Sequence, residues 1–409
     1  MQEKYIHPLK KARLKLGYTQ KLLADFAQVG EATIQRAESG KPLRPDSIQQ
    51  LCNYLSTQYQ RHVSPQELGL VQEEKTLPEI SSSKLIISTT FDPEAEDTLD
   101  NAESLIDLAW EAWFASRPKE AARSVCRLLP HLEKLAYALY QPGHTLRAKA
   151  LAIRAHGLLG TICLDALQND TALFHYMQAR RFAEEIQDVD LSTTYLCLIG
   201  DVLRRQNDQA GALKHMEHAR DSAPKASNAT RGHILQLLAY TYGDTGQETA
   251  FERTIAEATD LLAFSGEGID AAQKEFIPFE IYEIRGKVNR ELGKPLNALP
   301  YLELAEKSLT AADSVTPRWQ ALLEISRAQA FCDAGDIAPG IDLACKGFMM
   351  AYQCRSPRQM NRVRKLLRKL EKGPFRNHPK LQYLKNLLYE TYMRMDSEDS
   401  PANPLRSPF

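Results

Sequence analysis

The chain lacks several features that would place it quickly. No run of about 18 apolar residues occurs, so no transmembrane helix is expected. Met1–Lys15 is charged throughout and has no apolar centre, so no secretory signal is expected there. The seven cysteines (Cys52, Cys126, Cys163, Cys197, Cys332, Cys345, Cys354) never form a C-x-x-C pair. Such a scattered, odd set reads as buried thiols of a cytoplasmic protein. There is no phosphate-binding Gly-x-x-x-x-Gly-Lys, since Gly243-Asp244-Thr245-Gly246 lacks the lysine. Gly-x-Ser-x-Gly and His-Glu-x-x-His are missing too, so no enzyme, metal or cofactor is expected. His215 and His218 lie three apart, but without a third ligand they read as a solvated pair. No charge excess of either sign exists: 51 Lys+Arg face 52 Asp+Glu. Any contact with nucleic acid must therefore be local.

What is present is helical. The length of 409 residues allows two or three domains. Residues 1–70 form the first, with ten Lys/Arg against six Asp/Glu. Residues 71–100 are acidic and rich in Ser and Thr. They read as a linker, with Lys84–Ser88 either solvated or a short docking strand. Residues 101–394 carry apolar runs at helical spacing with almost no strand alternation, and 395–409 read as a disordered tail.

The helical stretch repeats. Gly160, Gly200, Ala239, Gly286 and Ala328 are small, and nineteen residues on stand Ala179, Ala219, Ala258, Ala305 and Gly347, small again. Seven residues on stand Leu167, Asn207, Gly246, Gly293 and Gly335; four of the five suit a helix end. The pattern is a helix–turn–helix unit with close approaches at both small positions. Its intervals of 40, 39, 47 and 42 residues are loose. Ile199-Gly200, Ala212, Met216, Ala219 and Pro224 form the best copy. Others run over Leu159-Gly160, Ala172, Tyr176, Ala179 and over Arg285-Gly286, Gly293, Ala298, Leu302, Ala305. These copies resemble the tetratricopeptide repeat. Residues 101–139, with Trp110, Trp113 and Ala121, read as a degenerate first unit. Residues 357–394 read as a capping pair, and the tryptophans, with Trp319, as core. The segment Arg355–Arg376 has nine Lys/Arg against Glu371, either a charged face or a contact for DNA or a partner.

The sharpest signal lies in residues 9–55. Leu9–Leu14 reads as a helix stopped by Gly17, and Thr19 caps a second helix with Leu22, Leu23, Phe26 and Ala27 on its buried face. A turn at Gln28-Val29-Gly30 leads to a third helix from Glu31 to Ser39, closed by Gly40. Ile48, Leu51, Cys52 and Leu55 mark a fourth helix, and Pro65–Leu68 a short fifth. The run Gly17-Tyr18-Thr19-Gln20, Ala24, Val29, Ile34, Glu38, Gly40 resembles the phage-repressor helix-turn-helix domain (the xenobiotic-response-element, XRE, family). It departs at Gln28, where the family usually has Gly, and at Gly30, where it usually has a Ser/Thr cap.

That resemblance implies that the third helix enters the major groove. Glu31, Ala32 and Arg36 would then face bases: Arg36 a guanine, Glu31 a cytosine or merely a repulsive selector, Ala32 a thymine methyl. Gln20 would clamp a phosphate, with Gln35, Lys41 and Arg44 as further backbone contacts. Arg13 and Glu38 would form a structural pair between helices.

The inner wall of the solenoid follows from repeat positions: Arg154 and Thr161; Cys197, Asp201 and Arg204; His233, Gln236 and Tyr240; Glu280, Glu283, Lys287 and Arg290; Ile325 and Gln329. Its amides suit a peptide backbone, and Arg204 or Arg290 a carboxylate. The reading is all-α: a five-helix DNA-binding domain followed by an α-solenoid. The combination resembles the peptide-sensing quorum regulators of Gram-positive bacteria (the RRNPP group). That resemblance implies a cytoplasmic homodimer binding double-stranded DNA and a short peptide or protein ligand. The alternative is a scaffold whose first domain docks a protein.

Overall fold

The computed structural model describes residues 7–16, 18–41, 43–59, 63, 65, 67–70, 93–137, 142–265, 276–310 and 316–398. The chain divides into an N-terminal unit, residues 1–87, and a C-terminal unit, residues 88–409.

The N-terminal unit contains α1 (Pro8–Lys15), α2 (Gln20–Phe26), α3 (Glu31–Glu38) and α4 (Pro45–Tyr59). Their apolar faces meet in a core of Leu9, Leu23, Ala24, Ala27, Ile34, Ala37, Leu51 and Leu55. Thr19 caps α2, its hydroxyl accepting from the Leu22 amide at 3.1 Å. Both departures at the turn have structural counterparts. Gln28 takes the left-handed conformation (φ 55°) that glycine adopts more readily. Gly30 gives α3 no side-chain cap. At the far end Gly40 is left-handed (φ 69°), and the Lys41 amide reaches back to the Arg36 carbonyl at 3.0 Å.

Two local expectations fail. Pro65 and 67–69 form a turn closed from the Leu70 amide to the Pro65 carbonyl, not a fifth helix. Leu22 and Phe26 are exposed rather than core; Phe26 instead packs between the rings of Tyr18 and Tyr54, with centroids 5.5 and 5.9 Å away. Gly17 and Lys84–Ser88 lie outside the described residues.

The C-terminal unit is an antiparallel pile of helix pairs: α5 (Pro93–Phe114) with α6 (Pro118–Ala136), α7 (Pro142–Asp165) with α8 (Asn169–Glu185), α9 (Val189–Arg205) with α10 (Gln209–Ser222), and α11 (Asn228–Asp244) with α12 (Glu248–Asp260). Then follow α13 (Pro278–Glu291) with α14 (Pro295–Thr310), α15 (Pro317–Asp333) with α16 (Ile337–Gln353), and α17 (Pro357–Lys372) with α18 (Pro379–Glu398). Most first helices also pack on the first helix of the next pair, for example α9 on α11 and α13 on α15, which makes a tetratricopeptide-like solenoid.

The small residues work as the repeat requires. A Cβ at Gly160 would stand 2.4 Å from the Tyr176 ring, and one at Gly200 would stand 2.7 Å from Met216. The turn seven residues on is left-handed in all five repeats, at Leu167, Asn207, Gly246, Gly293 and Gly335. Leu167 adopts the same φ of about 63° without being glycine, at a cost of roughly 1–2 kcal/mol.

The solenoid begins earlier than expected: α5 starts at Pro93, inside the segment read as linker, because Leu99 is fully buried on the helix face it shares with Ala102 and Ile106. α18 continues to Glu398, past the expected end; 71–92 and 399–409 lie outside the described residues. No disulfide joins the cysteines, and Cys126 is exposed rather than buried. No described helix is long and apolar enough to cross a membrane.

Candidate functional site

The N-terminal unit presents α3. Ile34 and Ala37 point into the core, which leaves Glu31, Ala32, Gln35 and Arg36 exposed. Their spacing puts all four on one face. Lys41 and Arg44, just beyond the helix, are exposed too.

This helix is tied down by Arg13 of α1 and Glu38. The Arg13 Nε and Nη2 donate to the two Glu38 oxygens at 2.6 and 3.0 Å, and Nη1 donates to the Tyr18 carbonyl at 2.7 Å. Both side chains are under a tenth exposed. Burial pushes the Glu38 carboxyl up, but hydrogen bonds from Arg13 and Gln20 outweigh it and hold the carboxyl below its ordinary value. Gln20 is thus half committed: its amide donates to Glu38 Oε2 at 2.7 Å, so one N–H remains for other work.

In the C-terminal unit the first helices of the pairs surround a cavity of about 150 Å³. Of the expected inner wall, Thr161, Asp201, His233, Gln236, Tyr240, Glu280, Glu283 and Lys287 line it. Other expected wall residues are spent elsewhere. Arg154 turns to Asp107 and Glu103 of α5. Arg204 is buried between Asp201 and Asp244, its guanidinium 4.0 Å from the Tyr240 ring centroid. Arg290 pairs with Asp333 at 3.2 Å and Glu291 at 2.7 Å, and Gln329 accepts from Arg362 at 2.8 Å. Cys197 and Ile325 are core.

The position count missed a second set of lining residues: Trp113, Asp165, Arg318, Ser356, Arg358 and Gln359. They join distant parts of the chain. Arg318 Nη1 meets Asp165 Oδ2 at 2.8 Å, and Nη2 donates to the Cys354 carbonyl at 2.8 Å. Its guanidinium lies 3.8 Å from the Trp113 ring centroid. Ser356 donates to the other Asp165 oxygen at 2.7 Å. The early and late pairs are thereby latched across the groove. The only hint in the sequence was Ser356-Pro357, the N-cap of α17. The basic segment that follows splits, with Arg358 lining the cavity and Arg364, Lys365 and Arg368 exposed.

The electrostatics of the wall are those of buried groups. Lys287 sits over the Tyr240 ring at 4.2 Å, and burial drives its pKa down to about 7 against the pull of Glu283. Both ring nitrogens of His233 and the Gln236 Oε1 are buried without a hydrogen-bond partner. Burial lowers the His233 pKa to about 4, against a smaller upward pull from Asp201.

A pH dependence follows from His233. Its folded pKa lies below the unfolded value, so its contribution is intact above about pH 6.5 and is lost as pH falls toward 4. The loss is about 1.4 kcal/mol for each pH unit in that window. Denaturant midpoints at pH 7 and pH 5 should differ less in His233→Phe than in the parent. Equal differences would show that folding leaves the protonation of His233 unchanged, contrary to its burial. Among the described residues no group of three His, Cys, Asp or Glu side chains is placed to hold a metal, and His215 instead bonds the Gly211 carbonyl.

Residues 9–60 match the family model described as Helix-turn-helix (HTH_3). No curated protein matches the sequence. A solved structure of a Rap protein complexed with competence and sporulation factor is similar at 14% identity and TM-score 0.46, covering 74% of this chain and 90% of that one. The pinned α3, the capped α2 and the family match agree, and residues 9–60 are a helix-turn-helix domain of the XRE type.

Proposed function

We propose that the protein is a cytoplasmic, sequence-specific DNA-binding regulator whose solenoid binds a short peptide that controls its hold on DNA. The observation that carries the DNA half is the exposed face Glu31, Ala32, Gln35, Arg36 on a helix whose other face is core. A face so placed suits the major groove, with Arg36 on guanine O6/N7, Glu31 on cytosine N4 and Ala32 on a thymine methyl. In this reading Gln20, Gln35, Lys41 and Arg44 contact phosphates. Two copies on one site would read half-sites about 34–36 Å apart, as in relatives of this domain type.

The peptide half rests on the polar inner wall and on the polar groups left unpaired there. A peptide acts only through its differential affinity for two arrangements of the protein. It has nothing to act on unless the latched groove has a second state.

Selection from randomised duplexes tests the DNA half. Arg36→Ala should weaken the preferred site by about 1–3 kcal/mol and relax one base position. An unchanged preference would remove Arg36 from the base contacts. Affinity should also fall roughly 10³-fold or more between 50 and 200 mM salt if several phosphates are contacted. A flat salt response would favour the scaffold reading, in which the same face docks a protein.

A further inference from the structure

Within the cavity, Asp201 is over-subscribed. Arg204 takes its Oδ1 through Nε at 3.0 Å and Nη2 at 2.7 Å. Arg205 takes Oδ2 through Nε and Nη2, both at 2.7 Å. Asp244 pairs with Arg204 and also faces Glu291. Arg358, at the second position of α17, lines the same cavity as Arg205 and has no ion pair or hydrogen bond among the described residues. Of the three guanidiniums around Asp201, Arg358 alone has no close anion; its charge acts on Asp201 and Glu283 from beyond ion-pair distance. The other acids of the wall are engaged. Asp165 is held by Arg318 and Ser356, and Glu283 by Ser326 with Arg362 3.9 Å away. Glu280 has a contact of its own. The Arg205 guanidinium is pressed below its ordinary value by burial and then by Arg358, against the pull of Asp201, as expected of two cations near one shared carboxylate.

Two further observations point to a ligand rather than to unrelieved repulsion. His233 is 1% exposed and Gln236 2% exposed, both line the cavity, and the His233 nitrogens and Gln236 Oε1 have no partner. A neutral imidazole offers one donor and one acceptor, and the amide oxygen needs a donor. The N-terminus of α17, with Ser356, Arg358 and Gln359 on the wall, adds a field that favours an anion. The volume of about 150 Å³ is well below the roughly 300–1,000 Å³ of pockets for drug-sized ligands, so it suits the end of a peptide rather than its whole length.

We infer that Arg205 and Arg358 form a carboxylate subsite, in which the ligand's carboxylate lies between the two guanidiniums while Gln236 takes a neighbouring amide N–H. The inference rests on the peptide reading of the solenoid. The carboxylate has two sources, the free C-terminus of a peptide or an Asp/Glu side chain.

Three pools of random-sequence hexapeptides separate them: C-terminal acids without Asp or Glu, C-terminal amides without Asp or Glu, and C-terminal amides containing Asp or Glu. Each is incubated with the full chain, and the retained peptides are identified by mass spectrometry after gel filtration. Retention of either carboxylate-bearing pool, about tenfold or more over the acid-free amides, is the expected result, and the retained pool names the source. Arg358→Gln should abolish that preference, and Arg205→Gln should weaken it, with Arg204 still holding Asp201 in both. An unchanged thermal midpoint in Arg358→Gln shows that its loss is local. Equal retention of the acid-free amides overturns the subsite and leaves the peptide reading standing. Retention of no pool overturns both.

Discussion

Glu38→Ala should unfold most of the N-terminal unit. The substitution strips Arg13 of both charge-assisted hydrogen bonds and leaves a guanidinium buried between α1 and α3. Removing one partner of a buried pair costs about 3–5 kcal/mol, whereas a domain of this size has little more stability than that to lose. Gln20 loses its acceptor as well. Hydrogen exchange on the full chain should show amides of α1 to α4 losing protection while those of α7 to α16 keep theirs. The double variant Arg13→Met/Glu38→Leu should recover much of the loss, because no charge is then stranded. A Glu38→Ala protein destabilised by less than about 1 kcal/mol would mean that the pair is solvated, contrary to its burial.

Asp201→Ala should have a comparable effect in the solenoid. The side chain is 2% exposed and is the shared acceptor of Arg204 and Arg205. Without it Arg205 loses its ion-pair partner and Arg204 keeps only Asp244, and the expected cost is again about 3–5 kcal/mol. The loss should show as a lower denaturant midpoint and faster exchange in α9 and α11, which pack on each other here. Asp201→Asn keeps the shape and removes only the charge. It should fall between parent and Ala variant. Equal stability of all three would mean that the arginines are neutralised from another source.

Much of the fold is legible in the sequence because its rules are local. A small residue facing a large one, as Gly160 faces Tyr176, is needed wherever two helices approach closely, and it repeats with the unit. The left-handed turn seven residues later repeats for the same reason, and it extends to Leu167, where residue type alone gives no sign. Gln28 and Gly30 mark the weak points of the helix-turn-helix, and both correspond to a backbone feature. The exposed face of α3 follows from the spacing of Ile34 and Ala37.

The inner wall is less legible. Position counting finds which side chains point inward but not which are spent on one another. Arg204, Arg290 and Gln329 point the right way, yet Asp244, Asp333 and Arg362 of neighbouring pairs absorb them. The latch was out of reach altogether. Asp165 and Arg318 are 153 residues apart, and no periodicity links them. Trp113 reads as core, and it is buried, but one face of its ring carries the Arg318 guanidinium. Leu22 and Phe26 look like core residues by spacing; the Tyr18–Phe26–Tyr54 cluster explains the place of Phe26 at the surface, and nothing in the structure explains that of Leu22.

The central claim is that α3 works in the grooves of duplex DNA. Mapping the protein across the chromosome in living cells, beside its Arg36→Ala variant, tests it most directly. The account predicts a set of discrete occupied sites sharing one sequence pattern in the parent, thinned or erased by the substitution while protein abundance is unchanged. Absence from the chromosome in every growth state, or occupancy indifferent to Arg36 and to sequence, would contradict it.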